Sequence, residues 1–191
     1  GQSATALGDI DMDGDLDLIV NGYDMTNFRL DRYMNDGTGT FSAPVAFGVP
    51  VRRGFAALGD LDGDGDLDLV SGGTPASGPS NRFDRYLNPG TGVFGAATSL
   101  GSALYDSCLS LGDIDGDGDL DMVLTGANSG GAARVVKRLN NGAGTFAAPV
   151  ITGTNVLASS TALGDIDADA DLDLIVAGFF GAGPPIYRLD R

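Results

Sequence analysis

The chain has 191 residues, a formal charge of −15, and 26 acidic residues that are all aspartate, against 11 Lys and Arg. A single cysteine, Cys108, excludes an internal disulfide, no stretch approaches the ~18 consecutive apolar residues of a membrane helix, and no basic stripe suggests nucleic acid. With no His, no Glu, and Lys137 and Cys108 as the only Lys and Cys, most acid–base and nucleophilic arrangements lack their parts, so the chain is expected not to be an enzyme.

In chain order, Ser3–Leu7 reads as a short strand rich in small residues. Gly8-Asp9-Ile10-Asp11-Met12-Asp13-Gly14-Asp15-Leu16-Asp17 follows, and Leu18-Ile19-Val20 reads as a second strand. The same writing returns from Gly59, Gly112 and Gly164, at successive spacings of 51, 53 and 52 residues. A fixed period near that length marks a repeat architecture. After the second strand come a loop over Asn21–Asn27, a run Phe28–Met34, a turn Asn35-Asp36-Gly37-Thr38-Gly39, and a run Thr40–Phe47. The turn recurs as Asn88–Gly92 and Asn140–Gly144, which are hairpin-type signals. Short connections between short strands predict up-and-down antiparallel pairing. Four such strands per unit of about 50 residues make the blade of a β-propeller, and helical periodicity is absent.

Calcium explains five aspartates in nine residues. The ion takes six to eight oxygen ligands, and a short loop can offer carboxylates from its positions 1, 3 and 5 with a backbone carbonyl from position 7. The expected site residues are Asp9, Asp11, Asp13, Asp15 and Asp17; Asp60, Asp62, Asp64, Asp66 and Asp68; Asp113, Asp115, Asp117, Asp119 and Asp121; and Asp165, Asp167, Asp169, Asp171 and Asp173. Without a cation these carboxylates would repel one another at close range. An EF-hand is excluded because position 12 is Val20, Ser71, Leu124 or Val176 rather than Glu, and a strand, not a helix, follows. A merely acidic surface would scatter its charge, whereas 20 of the 26 aspartates lie in these loops, and removing them leaves a charge of +5. Up to four Ca²⁺ are therefore expected. In the fourth loop Ala170 stands where Gly14 allows a positive φ, at a cost on the order of 1 kcal/mol, so that site is expected to bind weakly or stand empty.

The acidic loop, its strand and the trailing Asn-x-Gly-x-Gly-Thr-Phe-x-Ala-Pro-Val (Asn35–Val45, Asn140–Val150) together resemble FG-GAP/VCBS repeats, the calcium-binding blades of integrin-α-type propellers and of many secreted bacterial proteins. The resemblance covers essentially the whole chain. It implies that the calcium loop joins strands 1 and 2 at one face, and that partners are bound at the other face through the 2–3 and 4–1 loops. It also implies an adhesion or ligand-binding role.

The expected fold is all-β: a propeller-type array of four-stranded antiparallel blades over residues 1–53, 54–106, 107–158 and 159–191, about 3.7 blades. The last blade is expected to lack its outer strand, since Arg191 aligns with Arg32. Ring closure would then require another chain or segment, which leaves a fragment, a dimer of half-rings or an open polymer. Two functions follow: an extracellular module binding a glycan or protein, or a structural subunit that self-assembles through blade edges. Calcium sites of the affinity found in extracellular modules, ~0.1–1 mM, favour secretion or surface display. Basic residues recurring on the third strand (Arg32, Arg85, Lys137, Arg191) are expected to make a repeated blade contact, such as pairing with a carboxylate. Cys108 is expected to be a small buried residue. Tyr23-Asp24, Arg52-Arg53, Thr74–Arg82, Tyr105-Asp106, Asn128–Ala133 and Phe179-Phe180 occupy the variable loops where ligand contacts concentrate.

Overall fold

The computed structural model describes residues 3–77, 80–102, 104–154, 156–180 and 186–187. These residues form fifteen strands in four antiparallel sheets, with no helix among them. The first sheet runs in chain order through β1 (Ala4–Gly8), β2 (Asp17–Tyr23), β3 (Phe28–Tyr33) and β4 (Val45–Ala46). The second does the same with β5 (Val51–Gly59), β6 (Asp68–Pro75), β7 (Arg82–Tyr86) and β8 (Thr98–Ser102). The third holds β9 (Tyr105–Gly112), β10 (Asp121–Ala127), β11 (Ala133–Arg138) and β12 (Val150–Thr154). The fourth has three strands among the described residues, β13 (Val156–Gly164), β14 (Asp173–Phe180) and β15 (Ile186–Tyr187). Each sheet is thus an up-and-down meander of the propeller-blade type.

The chain divides into two compact units. One comprises Gly1–Asp60 with Asp64–Ala103, the other Leu61–Gly63 with Leu104–Arg191. In the first unit β5 packs against β1, β2 and β3. Its core gathers Ile10, Ile19, Leu30, Leu69 and Tyr86, with Phe47 and Phe94 stacked at 5.0 Å beside them. In the second, β13 packs against β9, β10 and β11 around Ile114, Val123, Val135, Leu174 and Val176. Ile10 and Ile114 come from the second place of an acidic loop. The first and third loops thus plug an apolar side chain into a core, whereas Ile166, at the same place in the fourth loop, is exposed.

Strand lengths depart from the sequence reading in instructive places. The run Thr40–Phe47 pairs with β3 only at Val45–Ala46. Pro44 has no N–H to give a ladder, and β12 likewise begins directly after Pro149. At the other end β2 continues through Tyr23 rather than stopping at Val20, because Asn21 is buried and fully used. Its Nδ2 donates to Ser71 Oγ (2.7 Å), and its Oδ1 accepts from Val51 N (3.2 Å). Cys108 is half-buried on β9, not in a core, and its Sγ accepts from the Thr161 hydroxyl at 3.5 Å.

Tyr86 is the largest fully buried side chain of the first unit. Its hydroxyl accepts from Val49 N at 2.9 Å, which fixes the link between the first two sheets. Tyr86→Phe removes that acceptor and leaves the amide unsatisfied. The unfolding free energy should fall by about 1 kcal/mol in urea titrations, and an unchanged midpoint would show that water replaces the hydroxyl.

Candidate metal centres

Each acidic loop joins the first two strands of its sheet, and its nine residues are held by an internal network of Asx-type hydrogen bonds. In the first loop Asp9 accepts from Asp13 N (3.1 Å) and Gly14 N (3.0 Å), and Asp13 accepts from Asp15 N (3.0 Å). Asp113 accepts from Gly116, Asp117 and Gly118, and Asp165 from Asp169 and Ala170. Asp60 accepts from Gly65, and Asp64 from Asp66.

This folding brings carboxylate oxygens within 4.8 Å of one another in four clusters: Asp9, Asp11 and Asp13; Asp60, Asp62 and Asp68; Asp113, Asp115 and Asp121; Asp165, Asp167 and Asp173. Positions 1 and 3 appear in every cluster. Position 5 completes the first, and position 9 the other three. Asp17, Asp64, Asp117 and Asp169 flank the clusters. The seventh-place side chains Asp15, Asp66 and Asp119 lie against Gly37, Gly90 and Gly142 of the turn before the fourth strand. A Cβ on Gly90 would come within 2.6 Å of Asp66 Oδ1, and one on Gly142 within 2.7 Å of Asp119 Oδ2. Asp171, at the same place in the fourth loop, gives its N–H to Asp169.

The ninth-place carboxylates are buried: Asp17, Asp68 and Asp121 are at most 1% exposed, and Asp173 is 8% exposed. Asp17 takes N–H groups from Ile10 (3.2 Å) and Asn35 (2.8 Å), and Asp121 from Ile114 (3.0 Å) and Asn140 (2.7 Å). Asp68 takes the N–H of Asn88 (2.8 Å), and Asp173 that of Ile166 (3.0 Å). One carboxylate thereby ties the loop to the distant Asn-x-Gly-x-Gly turn.

The donor set is hard oxygen throughout, suited to Ca²⁺ or Mg²⁺ rather than to softer metals. Asp11 Oδ1 is shielded from solvent and accepts no hydrogen bond among the described residues, as an oxygen reserved for a cation would be. Burial, then repulsion from Asp13, Asp17 and Asp9, holds the Asp11 carboxyl above its ordinary pKa. Desolvation followed by neighbouring carboxylates raises Asp66 and Asp119 likewise. Burial raises Asp121 against the pull of the Asn140 and Ile114 N–H groups.

Two places in every loop adopt the left-handed region. Position 6 does so at Gly14, Gly65, Gly118 and Ala170 (φ +96°, +93°, +95° and +71°). Position 4 does so at Met12, Gly63, Gly116 and Ala168 (φ +63°, +76°, +77° and +62°). The sequence reading recognised position 6 and missed position 4, although Gly63 and Gly116 signalled it. Loops two and three meet both demands with glycine, loop one meets one, and loop four meets neither.

Of the variable-loop candidates, Asp24 caps the turn before β3 by accepting from Thr26 (2.9 Å) and Asn27 (2.7 Å). Tyr23 leans on Phe28 with ring centroids 5.0 Å apart, and the Arg52 guanidinium lies 5.7 Å over the Phe28 ring. Thr74 donates to Asn81 (2.9 Å). Asn128 closes its own turn by accepting from Gly130 and Ala132. Arg53 and Asp106 are left-handed residues of β5 and β9. The side chains of Phe179 and Phe180, and Arg191, lie outside the described residues. Arg32 does make a contact between successive sheets, but its acceptor is the carbonyl of Gly92 rather than a carboxylate. Among the described residues Arg29 pairs with Asp31 and Arg82 with Asp84, two residues apart on one strand face, which the sequence reading did not pair.

Antiparallel four-stranded blades, each with an acidic loop between its first two strands, define a β-propeller-type repeat protein. The FG-GAP-like repeat model matches residues 9–71 and 113–176, and the chain belongs to this family. A search among curated proteins returned no match. A β-propeller-like lectin from Agrocybe aegerita, solved to explain specific recognition of non-reducing terminal N-acetylglucosamine, has a similar fold. Its TM-score is 0.64 at 22% identity, over 98% of this chain and 52% of that one. The chain thus spans about half the length of that lectin.

Relieving the left-handed strain should stabilise the metal-free protein. Met12→Gly, Ala168→Gly and Ala170→Gly each remove about 1–2 kcal/mol of strain and loosen the unfolded chain by about 0.4–1 kcal/mol. A net gain of roughly 0.5–1 kcal/mol each is expected in urea titrations without divalent ions. Glycine variants no more stable than the parent would show that these places store no strain.

Proposed function

We propose that the chain is a calcium-stabilised, non-catalytic propeller module that works outside the cell and binds a glycan ligand. The observation carrying the ligand reading is a groove of about 350 Å³ in the first unit, lined by Phe28, Arg29, Asp31, Phe47, Gly48 and Pro50 among others. It sits at the start of β3 and on the link from β4 to β5, the end of the sheet opposite the acidic loop. Arg29 is half-exposed and ion-paired to the buried Asp31, with a second carboxylate, Asp24, at 3.5 Å. A guanidinium and carboxylates with their geometry fixed suit the paired hydroxyls of a sugar, and Phe28 and Phe47 add apolar lining beside them. The lectin likeness supports the same class of ligand.

Calcium is the cation the loops fit best, with oxygen donors at alternate residues and the shielded Asp11 Oδ1. Cation binding to the folded loops alone stabilises by mass action, ~2.7 kcal/mol per independent site at a hundredfold excess over Kd. Excess chelator should therefore lower the melting temperature by many degrees, and a melt that chelator leaves unchanged would sink the calcium reading.

Glycan binding is tested by array screening of the calcium-loaded chain, followed by calorimetry on the best sugar. Arg29→Ala should weaken that binding at least about tenfold, the loss of a charge-assisted hydrogen bond, while calcium still raises the melting temperature of the variant. An array without a hit, or undiminished binding by the variant, would overturn the groove assignment.

A second reading, a subunit assembling through blade edges, is favoured by the apolar exposure of Val150 and Ile151 on β12, the outer strand of its sheet. Light scattering in calcium and then in chelator separates the two: discrete particles favour the binding module, and filaments the subunit.

A further inference from the structure

We propose that Asn88 couples the cation sites of the first and second acidic loops, so that filling either loop raises the affinity of the other. The inference rests on the cation reading above and adds to it a positioning residue outside both loops.

Asn88 opens the turn that follows β7 and is 2% exposed. Its backbone N–H goes to Asp68 Oδ1 at 2.8 Å, a carboxylate of the second cluster. Its side-chain amide donates to the Leu67 carbonyl at 3.1 Å, at the exit of the second loop. The same amide nitrogen donates to the Ile10 carbonyl of the first loop at 2.7 Å. Ile10 stands between Asp9 and Asp11 of the first cluster, and its own N–H is held by Asp17. A planar amide cannot move one N–H without moving the other, so the two loops share one rigid part.

The rest of that turn reinforces the link. Gly92, left-handed at φ +66°, lies so close to the first loop that an added Cβ would be 3.4 Å from the Asp11 Cβ, and its carbonyl accepts from Arg32. The second loop's turn is thus seated on the first loop at both ends. Asn140 repeats the arrangement in the second unit, donating to Asp121 (2.7 Å), the Leu120 carbonyl (3.2 Å) and the Leu61 carbonyl (2.8 Å). Asn35, at the same place in the first sheet, donates to Asp17 and the Leu16 carbonyl of its own loop.

The carboxylates of each loop repel one another until a cation orders them, so ordering one loop spends conformational freedom that a shared clamp then need not lose again for the other. Coupling of this kind ordinarily amounts to about 5–150-fold in affinity, and it is reciprocal.

The test follows the amide resonances of Gly14 and Gly65, one in each loop, during calcium titration of the full chain. Disabling the first loop with Asp11→Asn should move the Gly65 midpoint to about tenfold higher calcium. In an Asn88→Ala background the same Asp11→Asn change should leave the Gly65 midpoint where it is. Asn88→Ser, which keeps the backbone N–H and a short polar side chain, repeats the test if the alanine variant does not fold. Asn35→Ala should weaken the Gly14 site while the dependence between sites persists. Gly65 titrating identically with and without Asp11, or a dependence that survives both Asn88 variants, would overturn the coupling alone. Glycine resonances indifferent to calcium in the parent chain would overturn the cation reading, and the coupling with it.

Discussion

A buried carboxylate in the ninth place of each acidic loop is the interaction on which the sheets depend. Taking an ionised carboxylate out of water is costly unless hydrogen bonds or a cation replace the solvent. Asp17 and Asp121 meet that demand with two backbone N–H groups each, one from the second residue of the loop and one from the Asn of the turn some twenty residues on. The same aspartate begins the second strand of its sheet. Loop, strand and turn therefore cannot be chosen separately. This is the physical reason the two sequence motifs recur together, with an apolar residue always in the loop's second place.

The alternate carboxylates follow from that anchor. Once the ninth residue is pinned, positions 1 and 3 must fold back over it, and the backbone can do so only by entering the left-handed region twice. Where both residues are glycine, at Gly63 and Gly65 or Gly116 and Gly118, the turn is free of side-chain strain. Ala168 and Ala170 carry the same path with two Cβ atoms in the way. The fourth loop nonetheless keeps its carboxylate cluster, because the hydrogen bonds of Asp165 and Asp173 impose the path whatever the side chains prefer.

Much of this was legible in the sequence. The period, the meander of short strands, the four acidic loops and their cluster-forming aspartates all follow from local spacing, and local spacing was what the residues displayed. The features that escaped depend on partners distant along the chain or on strand faces. Arg29 and Asp31 look like unrelated charges until β3 is extended and places them on one side. Arg32 finds a carbonyl of the next sheet, sixty residues away, that no spacing rule names. The shortening of β4 was readable from Pro44 and was not read. The conformation of Met12 was hidden because methionine gives no hint of a positive φ, and only comparison with Gly63 and Gly116 reveals it.

The two ends of each sheet answer to different constraints. At the acidic-loop end, position after position is set by charge, burial and the clamp of Asn88 or Asn140, so the repeats there are nearly identical. At the other end the described turns are closed by contacts of their own. The turn at Asp24 is closed by its own carboxylate, that at Asn128 by its own amide, and Thr74 leans on Asn81. The Arg–carboxylate pair present as Arg29–Asp31 and Arg82–Asp84 has no counterpart on β11, where Val136 stands two residues after Arg134. A scaffold held at one end by repeated electrostatics leaves the opposite end free to differ from blade to blade. The first two blades keep the ion pair, and the third has the buried Val136 in place of its carboxylate.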